Sequence, residues 1–211
     1  MAAIEFDPLA RGLGVAIANT LRRVLLTCVY GWALIGVCID CVASELDKLE
    51  GVREDVVDIV LNMKQLVFTG ASDARMVKAV VARSSGGDVL GCHIVMSSGM
   101  RVVNSDHHIC YVNSGSSFRA ELIVVYDVGY LSANKLCAVL KLRSKGYFIT
   151  DASFCPVKRV SFNVAEPEYS LVLCDKVNML VETNGAVGIS DVIRYACKLI
   201  CSHFADLGDS V

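Results

Sequence analysis

The chain has no surplus of charge. Its 20 lysines and arginines stand against 22 aspartates and glutamates, a net charge of −2 over 211 residues. That balance argues against a general polyanion binder, because neutralising phosphates takes a basic excess. Nor is there an uncharged run long enough for a membrane helix. The longest covers residues 24–39, between Arg23 and Asp40, and is broken by Gly31 and Gly36; a spanning helix needs ~20 residues. No positively charged, then apolar leader with a small-residue cleavage site opens the sequence, so secretion is not expected. Internal repeats and low-complexity linkers are also missing.

Catalytic signatures are scarce as well. Gly12-x-Gly14 is the one candidate for a dinucleotide fingerprint, but Ile17 stands where the third glycine belongs and no strand of normal length is expected before it. There is no Gly-x4-Gly-Lys phosphate loop, no Gly-x-Ser-x-Gly elbow, and no Asp-x-Asp pair to hold the magnesium ions of nucleotidyl transfer. His93, His107, His108 and His203 read as structural or solvated residues. No catalytic residue, cofactor site or metal site is assigned, which favours a scaffold over an enzyme acting alone. The ten cysteines do not form a ligand pattern either. Cys38-Ile-Asp-Cys41 has ligand spacing but no second pair completes it, and Cys197 and Cys201, one helical turn apart, could hold only half a site. They are expected as small buried apolar residues in a reducing compartment.

What the chain does have is apolar surface. Hydrophobic residues make up 54% and charged residues 20%, and the mean hydropathy is +0.52. Disorder is thereby excluded, and interfaces or a membrane are the expected use of the excess. The length suits one large domain or two small ones.

After an extended lead-in over residues 1–8, residues 11–31 read as an amphipathic helix running to about Val29 and ended by Gly31. At about 100° per residue its stripe is Leu13, Ile17, Leu21, Val24 and Cys28, with Asn19, Arg22, Arg23 and Leu26 opposite. The stripe could fill a core or a subunit interface. Trp32–Ala43 alternates imperfectly, as a buried strand does. Ser44–Asp58 is acidic and reads as a solvated loop and helix start, with Glu54–Leu66 a second helix. Residues 67–154 are strand-like, punctuated by turn signals such as Ser84-Ser-Gly-Gly-Asp, Ser97-Ser-Gly and Asn113-Ser-Gly. Strands at Val157–Val164 and Lys176–Glu182 precede a closing helix with Ser190 as expected N-cap. That helix places Val192, Ile193, Ala196, Ile200, Phe204 and Leu207 on one side and Arg194, Lys198 and Cys201 on the other. With helices near both ends and strands between, the chain suggests an α+β fold: a discontinuous domain carrying a mostly β insert.

Ordered blocks along the chain resemble one family. Phe6-Asp-Pro-Leu-Ala-Arg-Gly-Leu-Gly followed by Ala18-Asn-Thr-Leu-Arg-Arg-Val-Leu-Leu is similar to the first helix of the alpha subunit of bacterial RNA polymerase. Gly51-Val-Arg-Glu-Asp-Val-Val-Asp-Ile-Val-Leu-Asn-Met-Lys-Gln-Leu, His108-Ile-Cys-Tyr-Val, Asp127-Val-Gly-Tyr, Pro156-Val-Lys-Arg-Val-Ser-Phe-Asn-Val and Val181-Glu-Thr-Asn-Gly continue the resemblance in order.

The resemblance implies a dimerisation domain from residues 1–31 and 157–211 (a sheet plus two amphipathic helices) and an insert, residues 32–156, that docks on the large subunits. It implies a homodimer closed by Leu13, Ile17, Leu21, Val24, Cys28, Val192, Ile193, Ala196, Ile200 and Phe204. Asn19, Arg22 and Arg23 would contact the large beta-type subunit, in an assembly with beta and beta-prime type chains. The implied location is the bacterial cytoplasm or an organelle interior. Two departures are noted: the first strand looks shortened, and Cys41 stands where the family favours glycine. The family's C-terminal DNA-binding domain is not expected, so DNA would be met only through the complex. Two other readings stay open: a dimeric apolar binding module unrelated to transcription, and a membrane-associated protein anchored by residues 24–39.

Overall fold

The computed structural model describes residues 1–71, 74–96, 99–140, 146–165 and 174–210. In chain order the elements are β1 (Ala2–Ala10), α1 (Gly14–Thr27), β2 (Tyr30–Ile39), α2 (Val56–Lys64), β3 (Phe68–Gly70), β4 (Met76–Arg83) and β5 (Gly87–Leu90). A single 3-10 turn, Gly91–His93, leads into β6 (Ile94–Met96), β7 (Met100–Val102), β8 (His108–Val112), β9 (Phe118–Val128) and β10 (Tyr130–Leu131). Then come α3 (Ala133–Leu140), β11 (Phe148–Ile149), β12 (Ala152–Ser153), β13 (Val157–Ala165), β14 (Cys174–Thr183) and α4 (Ile189–Asp209). Contacts divide the chain into a terminal unit, Met1–Tyr30 with Cys155–Val211, and an insert, Gly31–Phe154. The fold is α+β, and the insert is mostly β.

The terminal unit is a three-stranded antiparallel sheet in the order β1-β14-β13. Its inward positions pair Phe162 with Met179 and Val160 with Val181 on one side, and Ile4 with Met179 on the other. Strands alternate their side chains, so one face of this sheet is apolar except at Asp175. Helices α1 and α4 supply Ala18, Leu21, Leu25, Val192 and Ala196 to the same core.

The insert is built on a sheet in the order β6-β4-β9-β2-β3-β7, with β11 added to β2. Both faces of β2 are covered. Leu34, Val37 and Ile39 pack with α2 residues Val56, Ile59, Val60 and Met63, whereas Ala33, Ile35 and Cys38 pack with Leu136, Tyr147 and Phe154. A strand buried on both sides reads as an apolar run rather than a clean alternation. Glu54 ties the approach to α2 onto β8: its Oε2 accepts from Tyr111 N–H at 2.7 Å and its Oε1 lies 2.9 Å from His108 Nε2. Burial alone would raise the Glu54 pKa, but these hydrogen bonds outweigh it and hold the carboxyl below its ordinary value.

Several expectations need correction. Residues 1–8 are no mere lead-in: β1 is a nine-residue strand hydrogen-bonded to β14 from Ala2 to Ala10. The first helix is shorter than its pattern, because Leu13 is the N-cap and Cys28 the C-cap, and Gly31 lies inside β2. The buried strand likewise stops at Ile39, and the second helix spans only Val56–Lys64. Helix α3 interrupts the strand-rich region. Helix α4 is capped by Gly188 rather than Ser190, with Asp191 in its first turn. The run behind the alternative membrane-anchor reading, residues 24–39, is the end of α1 followed by β2, and among the described residues no helix is long and apolar enough to cross a membrane. Of the cysteines, Cys110 is buried, whereas Cys41, Cys92, Cys197 and Cys201 are exposed. Ser97 and Ser98 of one expected turn lie outside the described residues.

Cys41 follows the end of β2 with φ of +65°. A side chain in that left-handed region costs about 1–2 kcal/mol, and glycine avoids most of it. Cys41→Gly is therefore expected to raise the stability of the insert by about 1 kcal/mol, seen as a higher urea midpoint at unchanged slope.

Candidate interaction surfaces

The first helix is seated by a carboxylate far away in sequence. Asp175, on β14, is the one buried charged side chain among the described residues, 6% exposed. Its Oδ2 accepts the Gly12 N–H at 2.9 Å and the Gly14 N–H at 2.8 Å. The opening turn of a helix has unsatisfied N–H groups and a partial positive charge, so an inward carboxylate suits it. The spacing of the two glycines has the same origin. Gly12 has φ of +85°, and a Cβ on Gly14 would stand 2.8 Å from Asp175 Oδ2 and 2.9 Å from Val164 Cγ1. Sequence reasoning missed Asp175. A signal existed: it continues the inward series of Val177, Met179 and Val181 one step further, placing an acid on an otherwise apolar face.

At about 100° per residue, α1 presents three faces. Gly14, Ala18, Leu21 and Leu25 face the sheet and are buried. Ala16, Ile17 and Thr20 form a flank that, with Leu21, meets Cys197, Ile200, Cys201 and Phe204 of α4 and Phe6 of β1 around a groove of about 390 Å³. The third face carries the arginines. Arg23 and Asn19 are exposed. Arg22 is half-buried, and its Nε donates to Val160 O at 3.3 Å, tying α1 to β13. Among the described residues, no hydrogen bond or ion pair reaches the Arg23 guanidinium.

The ten candidate interface residues are thus distributed over different environments. Leu21, Val192 and Ala196 lie in the unit's own core, each at most 3% exposed. Val24, Cys28, Ile193 and Ile200 are half-buried. Leu13, Ile17 and Phe204 are exposed at 49%, 41% and 64%. Cys201, expected on the polar side of α4, lines the apolar groove instead. From Cys201 to Ser210 every residue is exposed, Phe204 and Leu207 among them.

The insert's polar clusters are internally matched. Lys78 Nζ lies 2.7 Å from Glu121 Oε1, and Tyr147 OH donates to Glu121 Oε2. His93 packs its Nε2 2.9 Å from Arg83 Nη1, and His107 Nε2 lies 3.0 Å from Asn62 O. On the outer side of α2, Val57 and Leu61, one turn apart, stay exposed.

Residues 31–155 match the family described as RNA polymerase Rpb3/RpoA insert domain.

Proposed function

The chain belongs to the RNA polymerase Rpb3/RpoA insert-domain family, an alpha-type subunit by that membership, and from this premise we propose that it is an assembly scaffold, a homodimer that seats the beta and beta-prime type subunits. The observation that carries the reading is the apolar flank of the terminal unit. A groove lined by Ile17, Ile200 and Phe204 opens between α1 and α4, and α4 continues past it with Phe204 and Leu207 uncovered. Most helical stability in proteins comes from packing of an amphipathic face, and apolar surface of this kind is characteristic of obligate interfaces. A second copy of the same chain offers the same flank, which a two-fold axis makes self-complementary. Leu21, Val192 and Ala196 support this surface from beneath.

The arginine face serves the second partner. Arg23 projects away from the sheet-facing stripe with Asn19 beside it, and a guanidinium fork fixes the orientation of a carboxylate or carbonyl on a large subunit. Arg22 has a share in the protomer's own structure, so its role there is secondary. The chemistry of nucleotidyl transfer belongs to the complex, DNA is met through it, and the site of action is the transcribing compartment, bacterial cytoplasm or organelle interior.

The test is affinity capture of the tagged full chain from its native cell. Two very large chains should co-purify with it, and their absence would remove the scaffold reading in favour of an unrelated dimeric module. Arg23→Ala should leave the dimer intact by sedimentation. It should weaken capture of the large subunit by roughly tenfold or more, the expected loss of one charge-assisted contact. Unchanged capture would strike Arg23 from the docking face.

A further inference from the structure

We propose that Cys28 and Cys155 form a reversible disulfide that fastens together the two places where the chain leaves and re-enters the terminal unit. Cys28 closes α1, its N–H bonded to Val24 O at 2.8 Å. At about 100° per residue it falls about 60° from Leu25, on the side that faces the sheet. Cys155 stands two residues before β13 and is packed against the same apolar cluster as Leu25. Its Sγ donates to Leu25 O at 3.3 Å. Carbonyls in the last turn of a helix point toward its C-terminus, so the oxygen that Cys155 engages is directed at the turn Cys28 occupies. Both side chains are half-buried and neither is in a disulfide. Burial raises the Cys155 thiol pKa; a backbone hydrogen bond at Val157 acts against the rise, and the neighbouring Cys28 adds to it. Leu25 and Cys28 stand three residues apart on α1, less than one helical turn, so the bridge seats the Cys28 sulfur, now 3.2 Å from Thr27 Oγ1, across from the Cys155 sulfur that touches Leu25 O.

The oxidant is a small-molecule disulfide such as oxidised glutathione. The Cys28 thiolate attacks one of its sulfurs; the oxidant's S–S bond breaks and one glutathione leaves as a thiolate that takes up a proton. Cys155 then gives its proton to solvent and attacks the Cys28 sulfur, expelling the second glutathione. The two protein thiols lose two electrons and two protons, and the oxidant becomes two thiols. A reducing compartment keeps the pair open. Once closed, the bridge joins positions on either side of Gly31–Phe154, so the whole insert becomes a covalently closed loop.

The experiment equilibrates the purified full chain in buffers of rising oxidised-to-reduced glutathione ratio, traps free thiols by alkylation and maps unreduced peptides by mass. A linked Cys28–Cys155 peptide should be the dominant intramolecular disulfide and should vanish on adding dithiothreitol. In the oxidised sample, the fragments left by a protease cut within the insert should stay joined under denaturing conditions until reductant is added. Cys28→Ser and, separately, Cys155→Ser should each abolish that retention. Should Cys28 and Cys155 emerge as separate glutathione adducts, or stay as thiols while exposed Cys41, Cys92, Cys197 and Cys201 react, the proposal is overturned.

Discussion

Asp175→Ala is expected to lower the stability of the terminal unit by about 3 kcal/mol, the scale of removing hydrogen bonds to a charged acceptor at a buried helix start. The change strips the carboxylate from the Gly12 and Gly14 N–H groups. It also opens a void beneath α1 beside the buried Gly14. Asp175→Asn keeps one acceptor oxygen but brings N–H groups toward a donor-rich pocket, so its loss should be smaller. Gly14→Ala attacks the same junction from the other side: a Cβ 2.8 Å from Asp175 Oδ2 and 2.9 Å from Val164 Cγ1 must push the helix off the sheet. Urea unfolding followed by far-ultraviolet circular dichroism measures both. A loss below about 0.5 kcal/mol for Asp175→Ala, the range of ordinary surface substitutions, would mean that solvent or a neighbouring group caps α1 instead.

Ile200→Asp is expected to dissociate the proposed homodimer, with at least a thousandfold rise in its dissociation constant. Ile200 is half-buried at the floor of the α1–α4 groove. The substitution removes an apolar contact of about 2 kcal/mol and leaves a carboxylate to be desolvated without a partner. In a two-fold dimer each penalty is incurred twice, so a total of about 4 kcal/mol, equivalent to roughly three orders of magnitude, is a conservative sum. Arg194→Ala is the control, because Arg194 is exposed and its 3.5 Å ion pair with Asp191 lies within one turn of its own helix. Analytical ultracentrifugation should show monomers for the first variant and dimers for the second. A dimer that persists in Ile200→Asp would remove this groove from the interface.

The α+β class and the mostly β insert could be read from the chain because period-3.6 and period-2 patterns are carried by the residues themselves. The features that escaped are those supplied from a distance. Helix α1 takes its N-terminal acceptor from Asp175 and α3 takes one from Asp151, which accepts the Ala133 N–H at 3.0 Å across 18 residues; rules that look for a cap immediately before a helix find neither. Strand β1 reads as a shortened, extended lead-in for a related reason. Its alternation of Ile4 and Phe6 breaks at an irregularity between Phe6 and Leu9, and a bulge shifts the phase of a period-2 signal. The stripe assigned to α1 shared Leu21 with the face that is buried, yet Leu13 and Ile17 lie outward of it. A helix that is apolar over more than half its circumference cannot reveal from periodicity alone which side its own sheet will take. Arg22 and Arg23, adjacent in sequence, end in different environments for the same geometric reason.

The interrupted layout of the terminal unit also has a consequence in time. The amide groups of Gly12 and the acceptor on Asp175 are 163 residues apart, and every strand partner of β1 lies in β14. Ribosomes deliver a chain from its N-terminus at about 5–20 residues per second, so β1 and α1 emerge well before the elements that complete them have been made. The insert meets its own strand partners sooner and can close while the remainder is still being translated. During that interval the first thirty residues are an unpaired greasy arm, the part of the nascent subunit most in need of a holding chaperone.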